Sequence, residues 1–299
     1  MPRSLLLLAA LTLAAQPPRP VRLYELREMD MHLHAGLERE VPLDAWFDLA
    51  ARDGRKVIVA LDHLELYREG ERKKEFKVSY PYGAAGHRAL WADIDRAAAA
   101  RPDLRIFKGW EIYEGELDTG LEEEPMRHVD VIGWHISPNH RGAPPDGKLM
   151  IRRIGQILEV QRRFAVPMIV FHPFSMRLEH IQRKARAAGR DLKDVRTAEY
   201  RFFQPGEQAE VVRLLKGTSV YIEISNDEAR YVADPACRQA LMEDIRPLVE
   251  AGVQFTVSTD THSLAAASKP FVPAVLASLY GLRPAHTNGI VSRLLDKAR

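Results

Sequence analysis

The chain has 299 residues, a length that one β/α barrel can fill as a single domain. Hydrophobic residues make up 46% and charged residues 28% of the sequence, which argues against a disordered chain and a multi-span membrane protein. The formal net charge is only +2, so no strongly basic domain indicates duplex nucleic acid as a partner.

The amino terminus has the pattern of a secretory signal peptide. Arg3 precedes the apolar run Leu5–Ala15, which is too short to span a bilayer, and the Pro-rich linker Gln16–Pro20 follows. We therefore expect residues 1–20 to be signal peptide and linker, and residues 21–299 to be one barrel domain. This predicts a periplasmic or secreted protein with no stable membrane span after processing. An uncleaved anchor or a misplaced start codon is the alternative.

Short apolar runs alternate with segments of helical spacing along the rest of the chain. Runs rich in Val and Ile predict buried parallel strands, and strand then helix, about seven times, is the order of a β/α barrel. The predicted strands are Arg27–Leu33, Val57–Leu61, Leu104–Trp110, Val129–Trp134, Met168–Phe171, Val220–Ile224 and Gln254–Ser258. The predicted helices are Leu43–Arg52, His87–Ala100, Met150–Phe164, Glu207–Leu215, Pro235–Ala251 and Pro270–Leu279.

One segment, Tyr67–Gly86, interrupts this alternation. It contains a charged run, Arg68–Lys77, and then Tyr80–Gly83. We predict a long loop over one end of the barrel, where a solvated surface excursion and a substrate lid are both open alternatives.

Nearly every predicted strand ends in a side chain that can bind a metal. His32 and His34 are two residues apart, so both imidazoles lie on the same face of an extended segment and can chelate one ion. The carboxyl ends of all strands of a barrel meet at one rim, which brings distant residues together. The other strand ends carry Asp62 and His63, Glu111, His135, His172, and Asp260 and His262.

The number of these side chains is what indicates a metal site. A single histidine at a strand end is more often packed or hydrogen-bonded than a ligand. Six histidines and three carboxylates at one rim would be costly to bury without a metal. The remaining histidines are expected to be structural or exposed: His87, His128, His140, His180 and His286.

The order of these motifs resembles the polymerase and histidinol phosphatase (PHP) superfamily over about Met29 to His262. The motifs that carry the resemblance are Asp30–His34, Leu61–His63, Gly109–Glu111, Asp130–His135, His172–Pro173 and Ser258–His262. The resemblance implies an α/β fold, a distorted (β/α)7 TIM-like barrel, with two or three divalent metal ions.

The same resemblance implies a ligand set. The first ion would be held by two imidazoles and two carboxylates: His32, His34, Glu111 and Asp260. A second ion would share Glu111 and add His135 and His172. A third would be held by His63 and His262, with Asp62 orienting His63.

One segment departs from the family pattern. Members with a full three-metal site often carry a further His or Asp a few residues beyond the first histidine pair, and this chain has Ala35–Glu40 there. Either Glu38 or Glu40 replaces that ligand, or the third ion is weakly held or absent.

Mixed imidazole and carboxylate ligation suits Zn, Mn or Fe. Two close ions can activate a bridging water as the nucleophile and clamp the oxygens of a phosphoester, with Glu111, His135 and Asp260 as the predicted catalytic residues. The chain has no Gly-x-Ser-x-Gly elbow, which fits hydrolysis without a covalent nucleophile.

Two polar residues are candidates for binding a small, phosphorylated substrate. Arg177 follows His172 by five residues, and a guanidinium can bind phosphate oxygens bidentately. Asn226 follows the sixth predicted strand at the same rim. A solvated loop arginine and a turn-forming asparagine are the structural alternatives.

Three functions remain open at this point. The favoured one is a metal-dependent phosphoesterase. An amidohydrolase-type hydrolase of C–N or carboxyl-ester bonds also begins with His-x-His on a barrel, but it typically offers a strand-end Lys that this pattern lacks. A non-catalytic barrel that binds metal or another ligand is the third.

Overall fold

The computed structural model describes residues 23–35, 41–64, 83–112, 123–136, 144–267 and 272–297. Its centre is a seven-stranded parallel sheet whose strands are paired in sequence order. The strands are β1 Met29–Leu33, β2 Val57–His63, β3 Arg105–Ile112, β4 Val131–His135, β5 Met168–Phe171, β6 Val220–Ser225 and β7 Phe255–Ser258. The predicted distorted (β/α)7 barrel is confirmed.

The sheet closes where the chain leaves β7 and meets β1. The backbone N–H of Asp260 donates to the carbonyl of His32 at 2.9 Å, and that of His34 donates to the carbonyl of Thr261 at 3.0 Å. Because the pairing lies beyond the regular part of β7, closure is made at the carboxyl-terminal rim of the barrel.

Asp30 reinforces this closure with its side chain. Its buried carboxylate accepts hydrogen bonds from the Thr259 backbone at 3.0 Å and the Thr259 hydroxyl at 2.8 Å. Burial raises the pKa of Asp30, although Arg55 and these hydrogen bonds oppose the shift. The first acidic residue of the Asp30–His34 motif therefore joins the two ends of the sheet.

The α-helices alternate with the strands. They are α1 Leu43–Arg52, α2 Ala84–Ala99, α3 Glu123–Met126, α4 Gly147–Phe164, α5 Pro173–Ala187, α6 Thr197–Tyr200, α7 Glu207–Leu215, α8 Pro235–Glu250, α9 Leu264–Ala267, α10 Pro273–Leu279 and α11 Pro284–Lys297. Short 3-10 helices span Leu26–Glu28, Leu192–Asp194 and Asn226–Arg230. Among the described residues, no helix is long and apolar enough to cross a membrane.

Helix α5 is absent from the sequence prediction, which leaves the residues after His172 in a loop. Pro173 occupies its first turn, where a proline loses no helical hydrogen bond. Phe174 and Leu178 are buried four residues apart, the spacing of an apolar helix face. Both signals are visible in the sequence, so the expectation of a loop was wrong and the helix could have been predicted.

Helix α11 was also missed, and it holds the start of the described chain. The Asn288 amide accepts from the Tyr24 backbone N–H at 2.7 Å and donates to the Tyr24 carbonyl at 2.8 Å. Since α11 packs against β7, this pair links the beginning of the chain to its last strand.

Several sequence predictions fall on residues outside the described ranges. The signal peptide and linker at residues 1–20, Glu38, Glu40 and His140 are among them. Of the predicted loop Tyr67–Gly86, residues 84–86 belong to α2, and residues 67–82 lie outside the described part.

Candidate metal centre

The structure brings all eight predicted metal ligands to the carboxyl-terminal rim of the barrel. Each lies within the last residues of a strand or within four residues of its end. Their nitrogen and oxygen atoms form overlapping groups, and within each group the atoms lie within 4.8 Å of one another. The groups are His32, His34 and Asp260; Glu111, His135 and His172; His34, His63 and His262; and His32, His172 and Glu223.

The imidazoles of His32 and His34 face each other at the centre of the site. Their Nε2 atoms are 2.9 Å apart, and both side chains are fully buried. The alternation along β1 and its continuation places both on one side of the strand, as the spacing predicts. Such a pair offers two nitrogen lone pairs to a single cation.

Glu111, near the end of β3, is the carboxylate shared by the histidines. Its Oε2 lies 3.1 Å from His34 Nε2, 3.2 Å from His63 Nδ1 and 3.5 Å from His32 Nε2. Its Oε1 lies 3.9 Å from His172 Nε2. Burial would raise the pKa of Glu111, but the surrounding histidines, His63 first, hold it well below its usual value. A charged carboxylate between groups is suited to bridge two ions.

Asp260 enters the site from the segment after β7. Its Oδ1 lies 3.4 Å from His32 Nε2 and 3.6 Å from His34 Nε2, and its Oδ2 lies 3.4 Å from His172 Nε2. Burial raises the pKa of Asp260 well above its usual value, and the neighbouring carboxylates add to this while His32 opposes it. A cation in this position would stabilise the charged form.

His63 and His262 both stack on His34, with ring centroids 4.5 and 4.1 Å from its ring and 5.8 Å from each other. His63 is buried, whereas the His262 side chain is 41% exposed. Since the other predicted ligands are at most 14% exposed, the cluster opens to solvent beside His262.

His172 and Asp260 both have backbone conformations in the left-handed region. Their φ angles are +41° and +51°, and among the described non-glycine residues only Ala165 shares this property. Such a conformation costs a non-glycine residue about 1–3 kcal/mol and persists where its surroundings hold it, often at functional sites. Here it turns both side chains into the cluster.

The donor set fits divalent metal ions. Glu111 Oε2 and Asp260 Oδ1 are buried, and neither accepts a hydrogen bond from a described residue. Burial lowers the pKa of His63 to about 4 and that of His172 to about 3, so both imidazoles are neutral near pH 7 and can coordinate a metal. Buried imidazoles, together with carboxylate oxygens that accept no hydrogen bond, are typical ligands of zinc and similar ions.

Sequence reasoning missed Glu223. It lies inside β6, is fully buried, and its Oε1 is 2.8 Å from His32 Nδ1. The readable signal was a lone carboxylate within the apolar strand Val220–Ser225, since a buried charge needs a partner.

Two further residues help to hold the His32 ring in place. The Phe171 ring stacks on the His32 ring with centroids 3.8 Å apart. Gly133, on neighbouring β4, leaves the space for that ring, because a Cβ there would lie 1.7 Å from Phe171.

The two predicted substrate contacts have other hydrogen-bond partners in this structure. Arg177 lies on α5, and its three guanidinium nitrogens donate to the backbone carbonyls of Tyr200, Pro145 and Glu199 at 3.0–3.2 Å. Asn226 Oδ1 accepts from the Val272 backbone at 3.1 Å. Their roles toward substrate stay predictions.

Asp62 and His87 lie beside the cluster. Asp62 accepts from the His63 backbone at 2.8 Å, and its other oxygen is 2.9 Å from His87 Nε2. Asp62 therefore contacts both His63 and the buried His87, and its predicted role in orienting His63 stays a prediction.

Among solved structures, the chain is similar to a histidinol phosphate phosphatase from Lactococcus lactis subsp. lactis Il1403, solved with zinc, L-histidinol and phosphate. The alignment covers 86% of this chain and 94% of that one, with a TM-score of 0.53 and 16% sequence identity. The chain has the fold of a histidinol phosphate phosphatase. The comparison supports the predicted distorted barrel.

A second structure with the histidinol phosphatase fold, from Listeria monocytogenes, is 10% identical, with a TM-score of 0.49 and coverage of 81% of this chain and 98% of that one. No family model matches the sequence. No curated relative matches it either.

Proposed function

We propose that this protein is a metal-dependent phosphoesterase that hydrolyses a small phosphorylated molecule. The observation that supports this is a set of closely spaced ligands at one barrel rim. Each of the residues His32, His34, Glu111, His172 and Asp260 has a nitrogen or oxygen atom within 3.9 Å of at least two of the others. Shared ligands are suited to adjacent ions, the arrangement used by many phosphoesterases.

The groups assign residues to two or three ions. One would be held by His32, His34 and Asp260, and a second by Glu111, His135 and His172. A third would take His34, His63 and His262 as ligands. When bound, divalent ions supply a water of lowered pKa and a clamp for phosphate oxygens.

The protein's own residues define where substrate approaches. The His262 side chain is 41% exposed and Asp260 is 14% exposed, while Glu111 is 1% exposed. A phosphoryl group therefore approaches from the side of His262 and Asp260. Glu111 would hold the ions from the buried side of the cluster, away from bulk water.

The substrate class is supported by the fold neighbour, which was solved with phosphate and L-histidinol. We extend this to a phosphorylated small molecule in general. We also propose that the protein acts in the periplasm or outside the cell, on the strength of Arg3 and the apolar run Leu5–Ala15.

The proposal is tested with purified protein loaded with Zn²⁺, Mn²⁺ or Fe²⁺ and assayed against a panel of phosphomonoesters, phosphodiesters, amides and carboxyl esters. We expect turnover of a phosphoester that is abolished by chelation and by Glu111→Gln. Turnover of amides or carboxyl esters alone would favour an amidohydrolase. Metal binding without turnover of any member would favour a binding protein.

A further inference from the structure

We propose that Glu223 is a positioning residue that orients His32 and His172 for metal binding before the metal arrives. The inference rests on the proposed metal centre, but it concerns a residue outside the ligand set that the family resemblance implies. Glu223 is fully buried in β6, and its carboxylate contacts groups from three other strands or strand ends.

The first contact sets the orientation of His32. Glu223 Oε1 lies 2.8 Å from His32 Nδ1, while His32 Nε2 faces Glu111 and Asp260 at 3.5 and 3.4 Å. A histidine that donates its Nδ1–H to a carboxylate presents the Nε2 lone pair to the metal. Glu223 therefore selects the tautomer of His32 in which Nε2 is the ligand atom.

The second contact holds the backbone of His172. The N–H of His172 donates to Glu223 Oε2 at 2.7 Å, at the residue whose φ is +41°. This hydrogen bond compensates for the unfavourable conformation that turns the imidazole into the cluster. One carboxylate thus orients two histidines that we assign to different ions.

A third contact fixes the carboxylate itself. The hydroxyl of Ser258, the last residue of β7, donates to Glu223 Oε1. Ser258 precedes Asp260 by two residues, so the same oxygen is linked to the strand that carries another ligand. Burial would raise the pKa of Glu223, but His32 and His172 lower it, so the group is a carboxylate.

The hydrogen bonds distinguish Glu223 from the carboxylates that we assign as ligands. Both of its oxygens accept hydrogen bonds from described donors, whereas Glu111 Oε2 and Asp260 Oδ1 accept none. A carboxylate whose oxygens already accept hydrogen bonds is suited to orienting the metal ligands. A carboxylate with an oxygen that accepts none is suited to binding the metal itself.

The test compares Glu223→Ala and the nearly isosteric Glu223→Gln with the unaltered chain, using Zn²⁺ alone as the probe. Metal affinity is measured by competition with a chelator, and the number of bound ions is measured at saturation. We expect Glu223→Ala to weaken binding about 10- to 100-fold while the number of ions at saturation stays the same. Glu223→Gln should lie between, because its single amide oxygen can accept fewer hydrogen bonds.

A tautomer measurement supplies a readout that a purely structural role would not change. Nitrogen-15 NMR of labelled histidine in the Zn²⁺-loaded chain should show His32 bound through Nε2 and protonated at Nδ1, and a mixture of Nε2-bound and Nδ1-bound forms in Glu223→Ala. Glu179→Ala, an exposed glutamate on α5, is the control and should change neither affinity nor tautomer.

Two results would overturn the inference. Loss of one ion at saturating Zn²⁺ in Glu223→Gln would make Glu223 a ligand instead. Unchanged affinity and an unchanged His32 tautomer in both folded variants would remove any positioning role. Because these readouts need no substrate, they stand apart from the phosphoesterase assay, whose failure would reject the proposed function alone.

Discussion

The Nε2 atoms of His32 and His34 lie 2.9 Å apart, on side chains two residues apart along the chain. Two neutral imidazole nitrogens at this distance repel unless a proton or a cation lies between them. Burial opposes charging of His32, but Asp260, Glu223 and Glu111 outweigh it and raise the pKa of His32 well above its usual value. The three surrounding carboxylates therefore favour positive charge at this point of the cluster, where we propose that a metal binds.

Replacing one member of this pair should remove metal. We expect His34→Ala to lose at least one bound ion per chain and to lower any phosphoesterase activity by at least about 100-fold, since His34 belongs to two groups. Elemental analysis after dialysis measures the metal. The exposed His128→Ala is the matched control, and full metal content in His34→Ala would contradict the assignment.

Gly133→Ala should disturb the site without touching a ligand. The added methyl group would collide with the Phe171 ring, which stacks on His32. We expect a loss of about 1–3 kcal/mol in the free energy of unfolding, as in other overpacked cores, together with weaker metal binding. Denaturant unfolding and chelator competition measure the two effects.

Gly155→Ala is the control for this substitution. Gly155 lies on α4, and a Cβ there meets nothing within 4 Å. An alanine in a helix is favoured over glycine by about 0.5–1 kcal/mol, so this variant should be at least as stable as the original chain. Equal stability and equal metal affinity of the two variants would show that the packing of Phe171 does not support the site.

Glu228→Gln should change the pH dependence of stability. Glu228 is fully buried, Tyr280 donates to its Oε2 at 3.1 Å, and burial raises its pKa to about 8 from 4.5. Its contribution to stability is fully present below pH 4.5 and is lost as pH rises through about 8. At about 1.4 kcal/mol per pKa unit, this amounts to a few kcal/mol.

The measurement is denaturant unfolding of the metal-free chain between pH 5 and 8. The difference in stability between Glu228→Gln and the original chain should shift in favour of the variant as pH rises. The exposed Glu210→Gln should show no such shift, because Arg213 lowers the pKa of Glu210. A constant difference for Glu228→Gln would mean that the carboxyl group titrates normally.

Arg177→Ala separates a structural role from a phosphate contact. Its hydrogen bonds to the carbonyls of Pro145, Glu199 and Tyr200 lead us to expect a loss of about 1–3 kcal/mol of stability, since those buried acceptors lose a charged donor. KM for a phosphoester should change little. Arg183→Ala, exposed on the same helix, is the control; a large rise in KM without loss of stability would restore the sequence prediction.

Much of the site could be predicted from sequence because, in a barrel, the residues that follow successive strands all lie at the same rim. The carboxyl end of every strand reaches one rim, so His32, His135 and Asp260 could be grouped without knowing any distance. Strand bounds were close because the buried strands coincide with apolar runs: Met168–Phe171 is identical in the prediction and the structure.

The supporting residues were harder to predict because their roles depend on side-chain packing. Glu223 sits within an apolar strand, and nothing in the spacing shows that it meets His32, which is far away in sequence. Phe171 and Gly133 look like ordinary strand residues, and their relation to His32 emerges only from the pairing of β4 with β5. The left-handed backbone of His172 is equally invisible, since the sequence offers no glycine there.

The closure of the barrel has a consequence for how the protein gains cooperativity. The side chains of His32 and Asp260 are two neighbouring metal ligands. The backbones of the same two residues form the hydrogen bond that joins the first strand to the last. A partly folded chain without this hydrogen bond has no complete set of metal ligands. Metal binding therefore stabilises only the fully folded state. Unfolding of the loaded protein should therefore become sharper and shift with free metal concentration, and two separated halves of the chain should hold the ion only after they reassociate.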